Sequence, residues 1–130
     1  MNVLTIRTDK PEAELGLYRA QDQLAYDTWE AHRQLAETMH IHIRELLSLQ
    51  SIDLKQLGGI VVFRGPGSFT GLRIGVSVAN AFGESLKIPI VGTEGNEWIA
   101  AGLSLLMSGA DHKIVIPEYG ALPNVSTPKK

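Results

Sequence analysis

Residues 63–82 read FRGPGSFTGLRIGVSVANAF, and the reading of this stretch decides the fold. In front of it, residues 60–63 (IVVF) make a continuous apolar run of the kind buried on both faces of a parallel sheet. A glycine-rich turn follows, and helical spacing then predicts a helix over residues 70–86. Thr70 is read as the cap of that helix, its oxygen accepting a backbone N–H. A strand, a glycine turn and a helix N-terminus can bind an anion, because free N–H groups and the helix dipole point outward. A P-loop also needs GxxxxGK followed by Ser or Thr, whereas Gly71 is followed by Leu72 and Arg73. The dinucleotide pattern GxGxxG fails too, because Gly65-Pro66-Gly67 leads into Ser68, Phe69 and Thr70. Two readings of the turn stand: a structural handover from strand to helix, or a phosphate site.

Within the helix, Gly71, Gly75, Ala79 and Gly83 recur every four residues and leave one face nearly bare. A glycine inside a helix costs up to about 1 kcal/mol against alanine, so Gly75 and Gly83 imply close backbone approach. Either the helix packs tightly on its own sheet, or a helix of another chain lies against that face.

Upstream, Val3, Leu4 and Ile6 make a strand that ends in the turn-rich TDKPE. Over residues 13–20, Ala13, Leu15 and Leu17 alternate with Glu14, Gly16 and Tyr18, and residues 24–30 alternate again after a tight connection. Three strands joined by short turns predict an antiparallel meander. From residue 32 to 49 the period becomes helical, with Leu35, Met39, His42 or Ile43, Leu46 and Leu47 on one face. Asp53 is read as the cap of a single turn over 54–57, stopped by Gly58 and Gly59. Downstream, residues 89–91 predict a short strand, Thr93 caps a helix reaching residue 107, and Gly109 closes it. Residues 113–116 are read as a last strand, and 117–130 as an irregular tail. The predicted order describes a mixed α/β sheet with right-handed crossovers, formed by residues 1–116 as one domain.

Composition narrows the chemistry. A net charge of −2 gives no global field toward nucleic acid or an anionic membrane, so any RNA contact needs a local patch or a partner. The absence of cysteine removes disulfides, zinc–thiolate sites and thiol catalysis. His40 and His42 point about 200° apart on their helix and cannot share a metal. Ser68 and Thr70 stand in no GxSxG motif, and no HExxH occurs. Glu30, Glu37 and Glu45 lie too far apart to form an acid/base pair. Arg64 and Arg73 flank the turn, paired either with the chain's own carboxylates or with a partner or phosphate. Trp29 and Trp98 are read as core or interface anchors.

The run Arg64-Gly65-Pro66-Gly67-Ser68-Phe69-Thr70-Gly71-Leu72-Arg73-Ile74-Gly75 resembles the signature of the TsaB (YeaZ) family, the non-catalytic subunit of the bacterial tRNA threonylcarbamoyladenosine (t6A) machinery. The similarity extends over the meander, the EAHRQL entry to the first helix, where His32 sits, and IPIVGTEG after the second. It implies an actin-like, ribonuclease H-like lobe: a mixed sheet, antiparallel meander plus parallel strands, with helices packed on it. It also implies a scaffold that pairs with a catalytic TsaD-like paralogue, with a TsaE-like ATPase as a further partner. Two departures stand out. In the superfamily the first strand usually ends in an aspartate near the nucleotide phosphates; the matching position is Arg7, and Asp9 is expected to point elsewhere. The family's usual second lobe has no counterpart in these residues, and PEYGALPNVSTPKK resembles its C-terminal tail brought forward.

The resemblance implies a partner or dimer interface on Leu35, Met39, His42, Ile43 and Leu46 of the first long helix. From the second helix it would take Gly71, Leu72, Gly75, Val76, Ala79, Phe82 and Gly83. Neither catalytic residue, cofactor nor metal is expected, and tRNA would be met only through the complex. A homodimer alone, a cytoplasmic location and no membrane association complete the expectation. The alternatives are a nucleotide-binding ATPase or hydrolase using the glycine turn, and a free-standing homodimeric interaction module.

Overall fold

The computed structural model describes residues 1–31, 34–67 and 69–119, the side chain of Phe69 excepted. Strands β1 (Asn2–Arg7), β2 (Glu12–Arg19) and β3 (Asp22–Glu30) lead into helix α1 (Leu35–Leu49). A 3-10 turn (Leu54–Gln56), β4 (Leu57–Phe63), α2 (Phe69–Leu86), β5 (Ile90–Thr93) and α3 (Trp98–Met107) complete the order. They build one five-stranded sheet in the order β3-β2-β1-β4-β5. β3-β2-β1 is the antiparallel meander, and β1-β4-β5 is parallel.

The side-chain alternation sorts residues onto two faces. Leu4 and Ile6 of β1, Ala13, Leu15 and Leu17 of β2, and Ile60 and Val62 of β4 join one buried cluster with α1 and α2. Val3, Tyr18, Val61, Phe63 and Val91 turn the other way and pack under Trp98, Leu103 and Leu106 of α3. Both faces of β4 are therefore covered, which is why IVVF carries no polar residue.

The elements depart from expectation in four places. Gly58 and Gly59 do not stop a helix: they lie inside β4, at a register shift where Asn2 pairs with Leu57 but Val3 with Gly59. The extra residue forms a bulge, which small residues permit, and Leu106 of α3 would lie 2.9 Å from a Cβ at Gly59. Thr70 does not cap α2, because the helix already includes Phe69; Ser68 lies outside the described residues. Thr93 does not cap α3 either. It ends β5, its hydroxyl donates to the Trp98 carbonyl at 2.7 Å, and the helix starts only after the turn at Gly95, with Glu97 in the cap position. Residues 113–116 form no strand, since the chain turns at Lys113 with φ +67°. Of the expected tail, residues 117–119 are described and Tyr119 packs against the α3-side core; residues 120–130 lie outside the described residues, as does His32.

Candidate functional site

The parallel strands β1 and β4 end side by side, and the chain leaves each of them toward the N-terminus of α2. From β1 come Arg7, Thr8 and Asp9. The Arg7 guanidinium forms a fork on the Asp9 carboxylate, Nε to Oδ1 at 2.8 Å and Nη2 to Oδ2 at 3.2 Å. It also lies over the Phe63 ring, 3.9 Å from its centroid, and Phe63 in turn meets Trp98 edge-on at 5.8 Å. The hydrogen bond to Asp9 raises the Arg7 pKa, against the opposing effect of burial. Asp9 does not point elsewhere: it sits against the glycine turn, its Cβ 2.5 Å from where a Cβ at Gly67 would fall. The acid at this mouth is thus present, displaced by two residues and paired with the arginine that stands in its usual position.

Thr8 explains half of the glycine stripe. Its buried hydroxyl donates to the Gly71 carbonyl at 2.7 Å, and its Cβ lies 3.1 Å from where a Cβ at Gly75 would stand. Gly83 faces Ile90, with Ile90 Cγ2 3.4 Å from the same imagined atom, and Ala79 is fully buried. The close approach that these residues allow is to the chain's own sheet, which corrects the reading in which this face meets another chain.

The other expected interface residues divide in the same way. Leu35, Met39, Ile43 and Leu46 of α1, and Leu72 and Val76 of α2, are buried in the chain's own core because their helical stripes face the sheet. His42, Gly71 and Phe82 are half-buried at the margins. The outward faces carry different residues. On α1, Ile41 is 55% and Leu49 76% exposed. On α2, Ser77, Ala81 and Ser85 are exposed at a spacing of four, and Ile74, Val78 and Phe82 half-fill the seam toward α1, where His40 meets Phe82 edge-on. The expected interface follows the glycine stripe and leaves out Ser77, Ala81 and Ser85, which lie on a different, exposed face of α2. The signal was present, since small residues at 77, 81 and 85 also repeat every four. A cavity of about 360 Å³ lies at the upper end of the seam, lined by Lys10, Pro11, Ala31, Leu35, Thr70, Gly71 and Ile74.

Around the signature turn, Arg64 pairs with Glu94, and its Nε donates to the Ile116 carbonyl at 2.9 Å. The main chain continues the tie, with Glu118 N–H donating to the Arg64 carbonyl at 2.6 Å. Gly65 has φ +129°, a conformation side chains disfavour, and the Glu118 carbonyl occupies the space where a Cβ would be. Pro66 and Arg73 are exposed, and Gly67 is half-buried against Asp9. Ser68 and the Phe69 side chain belong to the signature but lie outside the described residues.

A second cluster joins β3 to α1. His42 stacks flat on Trp29, with centroids 3.8 Å apart and planes 4° from parallel, and its Nδ1 lies 2.6 Å from Asp27 Oδ2. Trp29 Nε1 donates to Thr38 at 3.0 Å. Asp27 and Trp29, two apart on a strand, share a face, and this was the signal available beforehand. Among the described residues no group of three or more His, Asp or Glu is placed to hold a metal, and no helix is long and apolar enough to cross a membrane.

A five-stranded β3-β2-β1-β4-β5 sheet, covered by helices on both faces and with a glycine turn at the ends of its central parallel strands, defines an actin-like, ribonuclease H-like lobe. The model of the family described as TsaD, tRNA N6-adenosine threonylcarbamoyltransferase, matches residues 29–120. The Bacillus subtilis (strain 168) tRNA threonylcarbamoyladenosine biosynthesis protein TsaB is 34% identical over 102 residues, 78% of this chain and 44% of the relative. An uncharacterized protein of Mycobacterium tuberculosis (strain H37Rv) is 36% identical over 93 residues, 69% of this chain and 44% of the relative. The solved structure of YeaZ from Pseudomonas aeruginosa superposes with a TM-score of 0.68 at 25% identity, covering 84% of this chain and 50% of that one. The chain therefore belongs to this threonylcarbamoyltransferase-like family, within its TsaB (YeaZ) group. It spans half or less of the length of these relatives.

Proposed function

We propose that this chain is a scaffold in t6A modification of tRNA position 37, binding a TsaD-like catalytic subunit and carrying out no bond chemistry itself. The observation that carries this reading is the division of α1 and α2 into an inner face consumed by the core and an outer face left open. Ser77, Ala81 and Ser85 give α2 a shallow exposed ridge, and Ile41 adds an apolar contact on α1. A partner helix approaches most closely where side chains are small, so the docking surface runs along these outer faces. The signature turn acts as a structural handover that fixes the angle of α2.

The mouth at the ends of β1 and β4 supports the absence of catalysis. Its carboxylate is paired with Arg7, and the main chain of Glu118 covers Gly65. These residues do not fit a magnesium–nucleotide, which needs an unpaired carboxylate and an open glycine backbone. A TsaE-like ATPase is a further partner in the complex, tRNA is met only through the complex, and the site of action is the cytoplasm. Alone, the same outer helix faces pair two copies symmetrically.

The test is the mass of the purified chain alone and mixed with the TsaD-like subunit, by light scattering. A dimer that gives way to a one-to-one heterocomplex is expected. A chain that never binds the transferase overturns the scaffold reading and leaves a free-standing module. Stoichiometric Mg²⁺–ATP binding with turnover overturns it in favour of an ATPase.

A further inference from the structure

Residues 111–118 follow the outer edge of β5 without becoming a strand, because side chains take the place of one half of the ladder. Within a parallel sheet, an edge strand points alternate N–H and C=O groups outward, and an open row of them invites pairing with another chain. On β5 those groups belong to Ile90 and Gly92. The Ile90 N–H donates to Asp111 Oδ1 at 3.1 Å, and the Ile90 carbonyl accepts from the His112 N–H at 2.8 Å. The Gly92 N–H donates to His112 Nδ1 at 3.1 Å.

Beyond His112 the segment crosses to α2. Asn80 holds the main chain of Val115 on both sides, its Oδ1 accepting from the Val115 N–H at 2.9 Å and its Nδ2 donating to the Val115 carbonyl at 3.0 Å. Val115 is the one apolar anchor, 4% exposed, and a Cβ on Gly92 would lie 2.5 Å from its Cγ1. Its neighbours Ile114 and Ile116 are 70% and 67% exposed. Arg64 then holds the Ile116 carbonyl through Nε.

Main-chain groups thus supply most of the grip, one small β-branched side chain is buried, and one acidic side chain caps an edge N–H. Those are the features of peptide recognition at a sheet edge, where backbone bonds give affinity and one pocket gives selectivity. We propose that the β5 edge, Asn80 and Arg64 form a recognition groove for a peptide that turns at its centre, which this chain fills with its own residues 111–118, the turn falling at Lys113 (φ +67°). The partner it fits is a segment carrying an acidic residue four positions ahead of a valine-sized β-branched one, with a tight turn between them. The groove lies on the α2 flank away from the α1 seam and adjoins the docking surface proposed for the catalytic subunit, since Ala81 lines one cavity with Asn80, Asp111 and Ile114.

Amide hydrogen exchange on the whole chain tests this. Ile90 and Gly92 donate to the segment, so their amides report its docking directly. In Val115→Asp the two amides are expected to exchange at least about tenfold faster while those of β1 keep their protection, as local release predicts. Asn80→Ala removes the main-chain clamp without adding a buried charge and is expected to give the same selective change. A synthetic peptide of residues 110–119 added to Val115→Asp is expected to restore protection at Ile90 and Gly92, and the same peptide with aspartate at position 115 is not. Because the chain has no cysteine, oxidised Gly92→Cys/Val115→Cys pins the segment in place and is expected to exclude the added peptide. Loss of protection across β1 and β4 in both single variants would make the segment an integral part of the core and overturn the proposal. Failure of the native peptide to restore protection would overturn it equally.

Discussion

At the scale of single residues, Gly75 and Asp111 carry the sharpest consequences. A methyl group at Gly75 meets Thr8, whose Cβ is 3.1 Å from the new atom and whose hydroxyl holds the Gly71 carbonyl. Gly75→Ala, favourable for an isolated helix, is therefore expected to destabilise the fold by about 1–3 kcal/mol through overpacking, seen as a lower urea midpoint. A variant intended to block a partner at this position would report on folding instead. The Asp111 carboxyl is held below its ordinary value first by the Ile90 N–H and then by the Lys113 N–H. A depressed folded pKa adds stability that is present above the unfolded carboxylate range, near about 3.9, and lost as pH falls through the folded value. Asp111→Asn removes that contribution, so the two proteins should differ in thermal midpoint near neutrality and converge at the acid end of a pH series.

At the scale of elements, the two faces of each helix make opposite predictions. Met39 of α1 is fully buried between α1 and the sheet, and Met39→Ala is expected to cost about 2–5 kcal/mol as a cavity-forming substitution, measured by denaturant unfolding. Ala81 of α2 is exposed, and Ala81→Arg is expected to leave the urea midpoint within about 0.5 kcal/mol. The same variant should weaken the complex with the TsaD-like subunit at least about tenfold, because a long charged side chain holds a facing helix away; titration calorimetry reads the loss. The β3–α1 tie belongs to this scale as well. His42→Ala removes the stack on Trp29 and the contact with Asp27, and a loss of about 0.5–1.5 kcal/mol is expected from the ring pair. Its signature is a change in Trp29 fluorescence ahead of global unfolding. The helix periods were legible in the sequence, since the spacing of Leu35, Met39, Ile43 and Leu46 fixes an apolar stripe. What that stripe faces was not legible, because an apolar stripe fits a sheet and a partner equally well.

At the scale of the whole molecule, the closed mouth predicts no saturable Mg²⁺–ATP binding by the chain alone in calorimetry at millimolar nucleotide. The meander, the crossovers and the continuously apolar β4 follow from local patterns: alternation, helical period and a run apolar on both faces. These are properties of neighbouring residues, and they leave little freedom in strand order once right-handed crossovers are required. The twelve-residue signature likewise carried family membership by itself, being long and specific. The tertiary structure alone decided which way the glycine stripe faces, because only the docking of β1 brings Thr8, 63 residues from Gly71 in sequence, onto it. It alone paired Asp9 with Arg7 beside the turn, and it alone laid residues 111–118 along β5. Each of these is a contact between segments distant in the chain, set by how the sheet orders its strands rather than by any local preference. FRGPGSFTG thus specified a sharp handover from strand to helix, and the fold determined what the handover is packed against.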